Sequence, residues 1–195
     1  MSIIKKSMAG LFGLMTMITT SNAEQASKII HVGGDGSHLA IIDTARYEGF
    51  VGNWDENDRL RKHLIAQAKK ESIIAWGSGF ETDWVIAVRA GMSKQQGHRE
   101  FQSVISTSSG NLHLVNYDSL TMAAQFHDYR LPDQETKSYG FRVSPGRYKL
   151  RIVQLVNPDT NWWETLGKDD PAFLIEYEPA QESDLPLQTI PWASF

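Results

Sequence analysis

The stretch FQSVISTSSGNLHLVNY, residues 101–117, sets two short apolar-alternating runs on either side of Ser108-Ser109-Gly110. Period-two alternation marks a strand with one inward face. The small residues between the runs read as a turn, with Gly110 free to take a positive φ, so the sequence predicts a hairpin. The same pattern extends both ways. Ser72–Trp76 is a short apolar run. Trp84–Arg89 alternates, with Trp84, Ile86 and Val88 inward. Downstream, Leu120–Phe126 reads as a further strand. Tyr139–Val143 and Tyr148–Leu155 flank Ser144-Pro145-Gly146-Arg147, where Pro fixes φ and Gly supplies the positive φ of a type II turn. Phe173–Glu178 closes the series, with Phe173, Ile175 and Tyr177 on one face.

Upstream, His38–Glu48 reads as the first strand, with Leu39, Ile41, Asp43, Ala45 and Tyr47 on one face. One helix follows it. Asp55 can cap, acids crowd the first turn, Leu60, Leu64 and Ala68 form a stripe at spacing four, and Lys69 and Lys70 sit at the negative end of the dipole. About seven to nine short strands at roughly ten-residue spacing predict a mainly β fold, an antiparallel β-sandwich with one inserted α-helix.

The ends read differently. Lys5 and Lys6, an apolar run from Ala9 to Ile18 and Ser21-Asn22-Ala23 form a cleavable signal peptide over residues 1–23. The run is shorter than the ~20 residues of a membrane anchor. The expected location is therefore periplasmic or secreted, with no membrane insertion after cleavage. Residues 24–37 read as a flexible leader, 38–178 as the β-sandwich domain and 179–195 as a Pro-rich tail. Pro179, Pro186 and Pro191 exclude a helix or central strand there, while Leu185, Leu187, Ile190, Trp192 and Phe195 could pin it to the surface. Cysteine is absent, which removes disulfides, thiol catalysis and Cys-ligated zinc together. Cleavage takes away two lysines and no acid, so the net charge of −4 becomes −6. That argues against a nucleic-acid binder, which would show a basic patch.

No reactive centre stands out, so no cofactor and no metal are expected. The histidines His31, His38, His63, His98, His113 and His127 lack zinc-motif spacing. His113 reads as a solvated sheet position and His63 as a half-buried helix residue. Gly77-Ser78-Gly79 lacks the strand-to-helix setting of a nucleophile elbow. Asp55, Glu56 and Asp58 lack calcium-loop spacing and suit the start of a helix. The segment from Asn157 to Asp170 is the most suggestive. It puts Trp162 and Trp163 side by side in a polar, acidic loop, and Trp is enriched in binding hot spots. The alternative is that at least one of the two folds back over the end of the sandwich.

In element order, His38–Glu178 resembles the competence protein J type of nuclease inhibitors. The resemblance is carried by Trp54 before the acidic helix start, Ser78-Gly79-Phe80-Glu81 after the helix, and Val85-Ile86-Ala87-Val88-Arg89. It continues through Ser109-Gly110-Asn111-Leu112-His113-Leu114, Phe141-Arg142-Val143, Pro145-Gly146-Arg147-Tyr148-Lys149-Leu150 and Phe173-Leu174-Ile175-Glu176. It implies a small β-sandwich that blocks a nuclease by surface contact, with no catalytic residues. The signal peptide, the polar leader and the Pro-rich tail depart from that pattern.

The expectation is an exported inhibitor or immunity protein whose partner is a protein, a nuclease or other toxin. Trp162 and Trp163 would be its anchors, with Asp159, Glu164, Asp169, Asp170, Asp55, Glu56 and Asp58 supplying charge. The rival expectation is a sandwich that binds a glycan or small ligand through the same aromatics. An enzyme ranks last.

Overall fold

A computed structural model describes residues 27–34, 36–52 and 57–193. The expected signal peptide, the first three leader residues, Trp54, Asp55, Glu56 and Phe195 lie outside them. Nine strands are described: β1 (Lys28–Val32), β2 (His38–Asp43), β3 (Ile73–Gly77), β4 (Trp84–Ala90), β5 (Arg99–Thr107), β6 (Asn111–Asn116), β7 (Gly140–Arg142), β8 (Gly146–Gln154) and β9 (Phe173–Pro179). Two helices join them, α1 (Asn57–Lys69) and α2 (Tyr117–Gln125). The strands form a five-stranded sheet ordered β1-β4-β9-β8-β5 and a four-stranded sheet ordered β3-β2-β6-β7. Every pairing is antiparallel except β4 with β9, which is parallel.

The sheets bury their facing side chains against each other. Leu39, Ile41, Trp76, Trp84, Ile86, Ile105, Leu114, Ile152 and Phe173 lie in this layer. The helices cover the outer face of the four-stranded sheet, where Leu60 and Leu64 of α1 meet Ala40, Ile42 and Ile73, joined by Leu120 and Ala124 of α2. This explains why β2 is buried along its whole length: alternate residues serve two different cores. The sandwich with an inserted helix stands as expected from the sequence.

Several local expectations give way to tertiary context. Residues 101–117 do turn at Ser108–Gly110, but β5 pairs with β8 while β6 pairs with β2 and β7, so the turn crosses between sheets and is no hairpin. Asp43, fully buried, fixes the crossing by accepting from Ser108 N (3.1 Å) and Ser109 Oγ (3.2 Å). The segment after β7 makes the same kind of crossing into β8. The strand expected over His38–Glu48 is β2 and stops at Asp43, because Arg46 N and Tyr47 N turn back to the Asp43 carbonyl at 3.0 and 2.9 Å.

Leu120–Phe126, read as a strand, belongs to α2. Asn116 caps it by accepting from Ser119 N at 3.0 Å, and Leu120, Ala123 and Ala124 bury at helical spacing. Part of the expected leader is β1, whose Ile30 and Val32 alternate into the core beside β4. His113 is half-buried rather than solvated, close enough to Gly140 that a Cβ there would meet its ring at 2.5 Å.

Candidate functional site

The end of the sandwich below β4 and β9 is built from two loops, 78–83 and 157–170. The chain leaves β3 at Gly77, and Ser78 anchors the first loop. Its N–H donates to Ser37 O at 2.7 Å, its Oγ to Phe80 O at 2.9 Å, and its carbonyl accepts Gln154 Nε2 at 2.9 Å. Gly79 follows at φ +85°, where a Cβ would lie 2.9 Å from Pro158 Cγ. A side chain there would be strained and would push the two loops apart. Phe80 is thereby presented outward, 42% exposed.

The second loop closes on itself. Asn157 Oδ1 accepts from Asp159 N, and a 3-10 turn at Trp162–Glu164 is tied by Glu164 N to Asn161 O (3.0 Å) and Thr165 N to Trp162 O (3.1 Å). Asp170 Oδ2 accepts from Gly167 N at 2.7 Å, and Ala172 N then joins Val85 O, leading into β9. The two adjacent tryptophans meet edge to face within this turn, their ring centroids 5.9 Å apart and their planes at 78°.

The two readings of that pair divide between its members. Trp162 folds back, stacking on the buried Trp84 at 5.1 Å between ring centroids. Trp163 faces out, half exposed, and stacks on Phe80 at 5.9 Å and 23° between planes. A shallow groove of about 170 Å³ runs past Trp162, Trp163, Leu166, Asp83 and Asp170.

Charge surrounds this aromatic pair. Asp159, Glu164, Asp169 and Asp170, all singled out from the sequence, are exposed on the second loop. Glu81 and Asp83 of the first loop are exposed as well. Lys168 is the one lysine or arginine of these two loops. His31 lies 3.6 Å from Asp169, and Lys168 is exposed. Arg99 donates to Gln154 Oε1 at 2.6 Å and lies over the Trp192 ring at 4.4 Å. Burial pulls the Arg99 pKa down and the Asp159 carboxylate opposes that shift.

Asp58 stands elsewhere. It belongs to the first turn of α1, in the helical layer, and is ion-paired to Lys62 one turn on. Phe80, Glu81 and Asp83 were not chosen as site residues from the sequence. The signal for them was a large aromatic stranded between a glycine turn and acids, with no alternation to draw it inward. Among the described residues, no three histidine or carboxylate side chains converge as a metal site, and no helix is long and apolar enough to cross a membrane.

No family model and no curated protein matches this chain. Two solved structures are similar to it. One is described as "Crocagin biosynthetic gene J", with a TM-score of 0.49 and 14% identity over 80% of this chain and 97% of that one. The other is ComJ from Bacillus subtilis, described as an inhibitor of the DNA-degrading activity of NucA, with a TM-score of 0.42 and 11% identity over 78% of this chain and 96% of that one. At such identities neither likeness assigns the chain to a family.

Proposed function

We propose that the chain is an exported protein-binding module, an inhibitor or immunity protein that occludes the active surface of a nuclease or other toxin. The observation that carries this is the exposed Phe80–Trp163 stack within a rim of carboxylates. Large exposed aromatics held rigidly lose little entropy on binding and serve as anchors. A carboxylate rim steers a basic partner toward them and speeds encounter at low salt. A nuclease that holds a phosphate backbone presents such a basic face. Blocking by contact needs no reacting group, and the loop end offers anchors and charge for contact. The resemblance of the sequence, in element order, to nuclease inhibitors implies the same role.

The test is a pulldown and titration against the product of a neighbouring reading frame that encodes a secreted toxin or nuclease. Phe80→Ala with Trp163→Ala should weaken binding by at least about tenfold, the loss of one modest hot spot, with little change in melting temperature. Binding should also weaken as salt is raised. Unchanged affinity in the double variant would remove these residues as anchors. Binding to a cell-wall glycan panel, lost in the same variant and with no protein partner recovered, would favour the sugar-platform reading, because a flat aromatic stack also suits a sugar ring.

A further inference from the structure

At the other end of β4 and β9, away from the tryptophan loop, the sandwich has an open mouth. It lies between β1 and the last residues of β4 in one sheet and β7 in the other, with a volume of about 480 Å³. Phe141 and Tyr177 line it, stacked on each other at 5.9 Å and 29° between planes. Three cations stand around them, Lys28, Arg89 and Arg142. No carboxylate is among the described residues of the lining.

The three cations are not equivalent. Arg89 is answered by the fully buried Glu176, to which it donates from Nε at 2.9 Å and Nη2 at 2.6 Å. Glu176 also takes Arg151 Nη1 at 2.8 Å and Ser93 N at 3.0 Å on the outer face of the sheet. Lys28 donates only to the neutral Gly140 carbonyl across the mouth, and neither Lys28 nor Arg142 has an ion pair among the described residues. Two unanswered positive charges therefore face a concave site on a chain whose net charge is −4. Concave walls of low dielectric concentrate such a field.

We propose that this mouth binds a small phosphate monoester with a flat apolar body. The phosphate, close to a dianion at neutral pH, matches the two unanswered cations, and Arg142 can hold two of its oxygens at once. The half-buried Tyr177 ring, backed by the buried Phe141, takes the body, and the volume lies within the usual range for small-ligand sites. Inorganic phosphate would leave the aromatic surface wet. A neutral ring would leave the cations unanswered.

The experiment is calorimetric titration of the whole chain with phenyl phosphate, inorganic phosphate and phenol in parallel. Phenyl phosphate should bind at least about tenfold tighter than either of the others, because it alone engages both the cations and the rings. Arg142→Ala, and Lys28→Ala with Arg142→Ala, should weaken it by about tenfold or more while the melting temperature stays level, since both side chains are at the surface. Trp163→Ala, at the opposite end, should leave this binding unchanged while testing the protein interface separately. The proposal is overturned by no heat of binding up to about 10 mM ligand, the range of a very weak site. It is equally overturned by equal affinity for inorganic phosphate and phenyl phosphate, or by a double variant that binds as the parent does. A phosphotyrosine peptide that outbinds the free ester would replace the small-molecule assignment.

Discussion

Asp133 shows how one side chain can hold a loop. Its Oδ1 accepts from Thr136 N at 2.7 Å and Thr136 Oγ1 at 2.8 Å, and its Oδ2 from Ser119 Oγ at 2.7 Å and Tyr129 Oη at 2.5 Å. Burial alone would raise its pKa, but these donors outweigh it and hold the carboxyl at about 2, below its ordinary 3.8. Burial, then the bond to Asp133, pushes Tyr129 up to about 12. A depressed carboxyl stabilises the fold above its unfolded pKa and ceases to do so as pH falls through the folded value. Asp133→Asn should therefore lower stability by about 1–3 kcal/mol at pH 7, by turning one acceptor into a donor facing donors. The gap to the parent should narrow below pH 4 and close toward pH 2, read as melting temperature across a pH series. A gap that stays constant with pH would mean the charge contributes nothing.

At the scale of the element, what the sequence left illegible concerns partners more than shapes. Strand positions in 84–89 and 173–178, and the stripe Leu60, Leu64, Ala68, were readable because each face meets one environment. The turn at Ser108–Gly110 was readable as a reversal, but a turn states where the chain bends and not which sheet receives it. That information lies in Asp43, distant in sequence and buried. In the site, the acidic loop and its tryptophans were legible from composition, whereas Phe80 joins them only in the fold, by stacking on Trp163. The helix α2 was missed because its apolar run also suits a strand, although Asn116 before Asp118 and the 120, 123, 124 spacing carried a helix signal. Asn116 does two jobs, capping through Oδ1 and donating from Nδ2 to Gly33 O at 2.7 Å. Asn116→Ala should cost about 1–2 kcal/mol, in the upper part of the range for a lost cap because a carbonyl is orphaned as well. Denaturant melts would show it as a lower midpoint with unchanged slope, whereas Asp118→Ala, an exposed first-turn acid, should cost under about 1 kcal/mol.

For the whole molecule, a two-sheet sandwich must close its sides, and here segments near both ends of the chain do so. On one side β1 adds to β4 and lies against the neighbouring sheet at β6, with Gly33 N reaching Tyr139 Oη at 3.5 Å. On the other side β5 lies against β3, tied by Ser106 N to Glu71 O at 2.8 Å and by Glu71 to Arg147 at 2.8 Å. The Pro-rich tail seals this second seam. Arg147 N–H groups hold the Gln181 and Asp184 carbonyls, Leu187 N donates to Ser103 Oγ, and Gly77 N donates to Pro191 O. Trp192 then packs edge-on against Phe101 at 4.9 Å, beneath the Arg99 guanidinium. Leu185, by contrast, is 76% exposed and pins nothing. Trp192→Ala should cost about 2–4 kcal/mol, somewhat below a fully buried tryptophan because Trp192 keeps one side in water. Arg99 also bonds Gln154 at the base of the tryptophan loop, so the loss should be accompanied by faster amide exchange in residues 157–166, not only in the tail. Exchange that rises only beyond residue 185 would show that the strap closes the seam without supporting the loop end.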